Sequence, residues 1–245
     1  MSKLEKKIFI SGTITAKTGL SIGGGSVGLE IGGADKVVVR NTLNNQPYIP
    51  GSSLKGKMRS LLEQLKGKFS KKDDKFLACQ CGTCEICLLF GSLPTKNEKK
   101  EEKGGTARLI VRDSPLTPES ARLLGASRET DMPMTEVKTE VFIDRITSQA
   151  TPRQFERVPA GAEFTLSIIC NVFESDDERE MLDTLFTGMR LLQDDFLGGS
   201  GTRGYGRIKF KLKETMLVRD RQAYLQGVDA RPYDESPVSV PPELQ

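Results

Sequence analysis

Two hydrophobic rhythms run along the chain, and each marks a kind of element. In KIFISGTITAK, residues 7–17, Ile8, Ile10, Gly12 and Ile14 share one face while Phe9, Ser11, Thr13 and Thr15 share the other. A period of two predicts a strand. The same reading applies to AEFTLSIICNVF (162–173), to GYGRIKFKL (204–212), to ARLIVRD (107–113) and to the short extended run VVVRN from Val37. The helical rhythm occurs twice. In PYIPGSSLKGKMRSLLEQLKG the stripe Leu54, Met58, Leu61, Leu62 and Leu65 predicts a helix with Ser52 or Ser53 as its cap and Gly67 as its stop. In DDEREMLDTLFTGMRLLQDDF the inward stripe is Leu182, Leu185, Phe186, Met189 and Phe196.

Between these elements the pattern fades. Residues 68–105 read as an insertion, and 117–160 as a long polar excursion of a kind that is usually functional or disordered inside a compact domain. From 216 to 245 the chain is polar and proline-bearing and reads as a tail. The order strand, strand, helix, insertion, strand, excursion, strand, helix, strand predicts an α+β fold with a ferredoxin-like core, its antiparallel sheet covered on one face by two helices. The parts are then 1–67 and 106–116, the excursion 117–160, the second half of the core at 161–215, the insertion and the tail.

Composition narrows the chemistry. The 245 residues include no histidine, which removes Ser-His and Cys-His nucleophile systems and every His-containing zinc site. Net charge is only +3, yet lysines crowd residues 55–75 and 96–103 while acids crowd 174–183. A phosphate-binding face can be balanced in this way by acidic residues elsewhere. The N-terminus has no apolar h-region and no run reaches a membrane span, so a cytoplasmic, membrane-free protein is expected. Five cysteines in a reducing compartment are not expected to form structural disulfides.

Four of those cysteines, Cys79, Cys81, Cys84 and Cys87, lie within nine residues, with Gly82 to help the turn. They suit a closed tetrahedral zinc site of structural type; part of an iron–sulfur motif and free redox thiols are the other readings. Cys170 reads as a core residue. In GGSGTRGYGRIKF, Gly201, Arg203 and Tyr205 offer close backbone approach, a guanidinium and an aromatic face to a nucleic-acid strand, or else form a helix cap and turn. GSSLKGKMRS places Ser52, Ser53, Lys55 and Arg59 at a helix start, where anions bind, although ordinary surface lysines would look the same. Asp35, in IGGADKVVVRN, is either a turn residue or a bare carboxylate at a strand mouth.

The motifs TGLSIGGG, IGGADKVVVRN, YIPGSSLKGKMRSLLE, the cysteine cluster ending LLFGS, EVKTEVFIDRITSQATPRQFERVPAGAEF and LGGSGTRGYGRIKF occur in that order. Together, from about residue 5 to 215, the chain resembles the RAMP superfamily, specifically the repeated backbone subunit of type III-A CRISPR (Csm) interference complexes. That resemblance implies an RRM-like palm that polymerises along guide CRISPR RNA with further copies of itself and other Csm subunits. It implies guide contacts at Ser52, Ser53, Lys55, Arg59 and Gly201 to Tyr205. A hairpin thumb within 120–155 would wedge into the guide–target duplex and displace a base pair at intervals. Asp35 would cut the target RNA with Mg²⁺ or another divalent metal, as metal ligand or as base, making the chain a metal-dependent endoribonuclease. Ser21 stands where many relatives carry His. A purely architectural guide-binding subunit, or a guide-processing RNase of the same superfamily, are the alternatives.

Overall fold

The computed structural model describes residues 2–23, 37–72, 75–93, 95–96, 102–103 and 106–245. In chain order its elements are β1 (Leu4–Ala16), β2 (Tyr48–Ile49), α1 (Gly51–Lys66), β3 (Phe69–Lys72), β4 (Lys75–Ala78), α2 (Glu85–Phe90), β5 (Thr95–Lys96), β6 (Glu102–Lys103), β7 (Leu109–Val111), β8 (Ser114–Pro115), α3 (Pro118–Ala126), β9 (Glu136–Ile143), β10 (Ala150–Arg157), β11 (Glu163–Phe173), α4 (Glu178–Asp194), β12 (Ile208–Leu212), β13 (Leu217–Asp220), α5 (Arg221–Gln226) and β14 (Arg231–Pro232). The result is a mixed α/β fold. Among the described residues no helix is long and apolar enough to cross a membrane.

The sheet is organised around β1, whose Ile8, Ile10 and Ile14 are fully buried, as the period of two predicts. Along one edge β1 runs antiparallel to β11, with Ile10 opposite Ile168, and β11 in turn pairs with β7. The other edge is divided. β12 pairs with Gly12 to Ala16 and β13 with Lys6 to Phe9, and β14 lies beyond β13. Leu54, Met58 and Leu62 of α1 join Leu182, Leu185 and Met189 of α4 in one continuous core with the sheet. The two helices come close because Gly188 lacks a Cβ; one placed there would lie 3.0 Å from Leu62 Cδ1.

Several expectations change. Helix α1 starts at Gly51 with Pro50 at the capping position, so Ser52 and Ser53 lie inside its first turn. Asp113 supplies the acceptor instead, taking the Gly51 N–H at 2.8 Å. Leu65, read as inward, is 57% exposed, next to the last residue of the helix. The Val37 run is not a regular strand: among the described residues it forms the isolated bridges Gly23–Val38 and Arg40–Pro47. The excursion contains α3, capped by Thr117 with Pro118 in its first turn, and the β9–β10 hairpin.

The expected tail is part of the domain. Residues 217–220 pair with β1, and Met216, Val218, Tyr233, Val240 and Leu244 are all buried. A three-membered contact fastens the segment: Lys6 Nζ donates to Tyr233 Oη at 2.8 Å and meets Glu178 at 2.7 Å, while Tyr233 Oη donates to Glu178 Oε1 at 2.7 Å. The sequence looked like a tail because its buried residues are widely spaced and follow neither period.

Candidate nucleic-acid interface and cysteine centre

Two glycine loops that are far apart in sequence meet in space. The Gly199 N–H donates to Ser21 O at 2.8 Å and the Gly206 N–H to Gly19 O at 3.0 Å. Gly198 has φ +84°, and a Cβ there would lie 2.4 Å from Ser21 O. Only a residue without a side chain permits that approach in that backbone region. The base of β10 joins them through reciprocal bonds between Leu20 and Val158 at 2.9 and 2.8 Å.

One face of β9 completes this cluster, through residues two apart. Glu136 accepts from Arg157 at 2.6 Å, Lys138 Nζ stands 4.7 Å from the Tyr205 ring centroid, and Glu140 accepts from Arg203 at 2.8 Å. Arg203 beside Glu140 holds that carboxyl below its ordinary range. Tyr205 itself departs from the expectation of a stacking platform: it is 2% exposed, between Lys138 and Arg157. Burial, reinforced by Glu140, pushes its phenol up to about 12. Gly201 also has a packing reason, since a Cβ would lie 1.9 Å from the Phe196 ring. Arg203 remains exposed along most of its side chain. Beyond this docked base the hairpin projects outward, with Val141, Phe142, Ile143 and Ile146 exposed, Ile146 at 94%.

Asp35 lies outside the described residues, but both ends of its segment are fixed. Gly23 and Val38 form a bridge, and the Val39 N–H donates to Ile22 O at 3.0 Å. Glu156, 1% exposed on β10, accepts the Val38 N–H at 2.8 Å and the Thr135 hydroxyl at 2.6 Å, and pairs with Arg40. Arg40 also donates to Asn45 O, Pro133 O and Thr135 Oγ1. A buried carboxylate is tolerable when paired and bonded in this way. The neck of the Asp35 segment is therefore tied to the root of the hairpin.

At the start of α1, Ser52 is exposed and Ser53 half-buried. Lys55 Nζ donates to Leu109 O at 2.8 Å; burial, with Arg59 nearby, holds its ammonium below the ordinary lysine value. Arg59 turns inward instead of toward solvent. It donates to Glu63 Oε1 at 2.9 Å, Gly91 O at 2.8 Å and Cys79 O at 2.7 Å. Expected to hold guide phosphate, it is spent on the chain's own backbone.

The four clustered cysteines converge. Cys79 follows β4, Cys84 caps α2, Cys87 lies within α2, and Gly82 turns the chain between them at φ 73°. All four sulfurs lie within 4.8 Å of one another, with Cys79–Cys84 and Cys81–Cys87 both at 3.9 Å. Tetrahedral Zn–S bonds of about 2.3 Å place sulfurs about 3.8 Å apart. The donor set fits a closed four-sulfur metal site. Cys170 is buried in β11, its thiol pushed up to about 12 by burial.

A family model described as the RAMP superfamily matches residues 13–209. The chain belongs to the RAMP superfamily. Its relatives include the protein named CRISPR system Cms endoribonuclease Csm3 of Methanocaldococcus jannaschii, 40% identical over 91% of this chain and 86% of that one. The protein of the same name from Methanothermobacter thermautotrophicus is 43% identical over 92% and 91%. A solved Csm3–Csm4 subcomplex of a type III-A CRISPR-Cas interference complex superposes with TM-score 0.59 at 29% identity, over 97% of this chain and 91% of that one. The crystal structure of Methanopyrus kandleri Csm3 shares the fold at TM-score 0.60 and 19% identity, over 98% and 91%. In this RAMP chain no local pattern points to the Glu156–Arg40–Thr135 clamp, whose members are remote in sequence, and the Arg59–Glu63 pair sits on an ordinary helix face. In TPRQFERVP, Glu156 shares the alternating face of Val158, and that was the available hint that it points inward.

Proposed function

We propose that this chain is the RNA-guided endoribonuclease backbone subunit of a type III-A CRISPR effector complex, binding guide RNA and cutting complementary target RNA at regular intervals. The observation that carries this reading is 40% or greater identity, over most of both chains, to proteins named as CRISPR endoribonucleases. The topology supports an RRM-like palm: β1, α1, β7, β11, α4 and β12 follow one another, with sheet order β12-β1-β11-β7, as in a ferredoxin-like core. The β9–β10 hairpin is the thumb, and its exposed Phe142 and Ile146 suit insertion between bases.

Asp35 is the cutting residue. RNA brings its own nucleophile, the ribose 2′-OH, so a site needs in-line geometry more than a large constellation. Displacing a base frees the strand from the helix that keeps the 2′-OH out of line. The bond from the Val38 N–H to Glu156 joins the described residues just after the Asp35 segment to the thumb root, which supports a cutting group that works beside the thumb. Among the described residues the only cluster of three or more potential ligand side chains is that of the cysteines. A divalent ion such as Mg²⁺ at the cut would be held by Asp35 and would neutralise phosphate charge there. Ser52, Ser53, Lys55, Gly201 and Arg203 are the guide-facing groups, Cys79, Cys81, Cys84 and Cys87 hold Zn²⁺, and further copies and other Csm subunits complete the particle.

The test is a reconstituted complex carrying Asp35→Asn, presented with complementary RNA with and without Mg²⁺. Assembly and target binding are expected to persist while the regularly spaced products disappear, and the unaltered complex is expected to lose them when the divalent ion is chelated. Undiminished cutting by the variant would make this chain architectural.

A further inference from the structure

Helix α1 presents Arg59, Glu63 and Lys66 at positions i, i+4 and i+7, one face of the helix. That face does not look to solvent or to the core; it grips the cysteine module. Glu63, 5% exposed, accepts the Cys79 N–H at 3.0 Å through the same oxygen, Oε1, that takes Arg59 Nε at 2.9 Å. Arg59 Nη2 donates to Cys79 O at 2.7 Å, and Nη1 to Gly91 O, just past α2, at 2.8 Å. Lys66 pairs at 2.6 Å with Glu85, the residue after Cys84. Both backbone polar groups of Cys79 are thereby held by two side chains of a helix outside the cysteine loop.

We infer that Arg59 and Glu63 are positioning residues of the metal centre, fixing the Cys79 main chain so that its sulfur meets the other three at bonding distance. The inference rests on the reading that the four cysteines hold a metal. Its physical basis is the cost of the arrangement. A buried carboxylate–guanidinium pair is commonly replaceable by apolar residues without loss of stability, so its presence calls for a reason beyond stability. Here the pair is neutral as a unit and directs its hydrogen bonds onto one ligand residue and one flank of the loop, as the partners behind metal ligands do. The β3–β4 hairpin that leads into Cys79 has little else to order it, since its Phe69, Phe76 and Leu77 are all exposed. The same geometry explains why Arg59, despite its place beside Lys55, does not face an RNA backbone.

Titration of the metal-stripped full chain with Co²⁺ tests this, because tetrahedral thiolate coordination of Co²⁺ has its own absorption bands. Competition by Zn²⁺ then gives relative affinity. The unaltered chain is expected to take one ion with a four-thiolate spectrum; absence of that spectrum would defeat the four-cysteine reading itself. Glu63→Ala is expected to bind ~10–100-fold more weakly, and Glu63→Gln, which keeps an acceptor for the Cys79 N–H, to recover part of the loss. Binding by Glu63→Ala at unaltered affinity overturns the inference. If that variant does not fold, Arg59→Met decides by the same titration: a tenfold or greater loss supports the positioning role and unchanged affinity removes it.

Discussion

The phenol of Tyr205 lies between two cations, Lys138 4.7 Å and Arg157 4.9 Å from its ring centroid, and beside Glu140. An unfolded tyrosine ionises near 10, whereas this one keeps its proton to about 12. Its contribution to stability is therefore full below pH 10 and is lost as pH rises through about 12. In an absorbance titration of the native protein, Tyr205→Phe should remove one phenolate from the late part of the curve; an unchanged late step would contradict this placement. Glu156 carries a second residue-scale prediction. Glu156→Ala leaves Arg40 against carbonyls without its buried counter-charge, and denaturant unfolding should show a loss of about 3–5 kcal/mol. From sequence, an aromatic between glycines read naturally as a stacking surface. The facts that decide otherwise are contributed by β9, some 65 residues earlier in the chain by its numbering, and no local pattern carries them.

At the scale of elements, legibility followed burial. β1, β11, α1 and α4 each bury one face in a common core, so their periods were visible in the sequence. The β9–β10 hairpin was not, because much of it is exposed on both faces and its alternation is one of charge rather than of apolarity. Helix α3 was missed for a different reason: the Thr117–Pro118 start was present, but only Ser120 among its residues is buried. Among the elements of the cysteine module only α2 is well buried, so its order should depend on the metal. Chelation is expected to raise amide exchange across residues 75–92 and to leave β1 and β11 protected. Equal protection of 75–92 with and without metal would show that the module folds by burial alone.

For the whole molecule, the segment that reads as a tail closes the sheet. Deleting residues 216–245 exposes half of one β1 edge and removes the buried Met216, Val218, Tyr233, Val240 and Leu244. At roughly 1.5–3 kcal/mol for each large apolar side chain, the loss is on the order of the entire folding margin of a domain. The truncated chain should be insoluble or unfolded at 25 °C by circular dichroism; a soluble, cooperatively melting product would mean that the segment is dispensable.

Because β1 is paired along both sides, what the described sheet offers at its edges is β7, three residues long, β14, two residues long, and β12, five residues long. β7 and β14 are too short to template a neighbour's backbone, and β12 carries the exposed Lys209 and Lys211. A second copy of this chain is then expected to meet it through side chains and loops rather than by adding a strand. The polypeptide on its own offers no long bare ladder to keep extending.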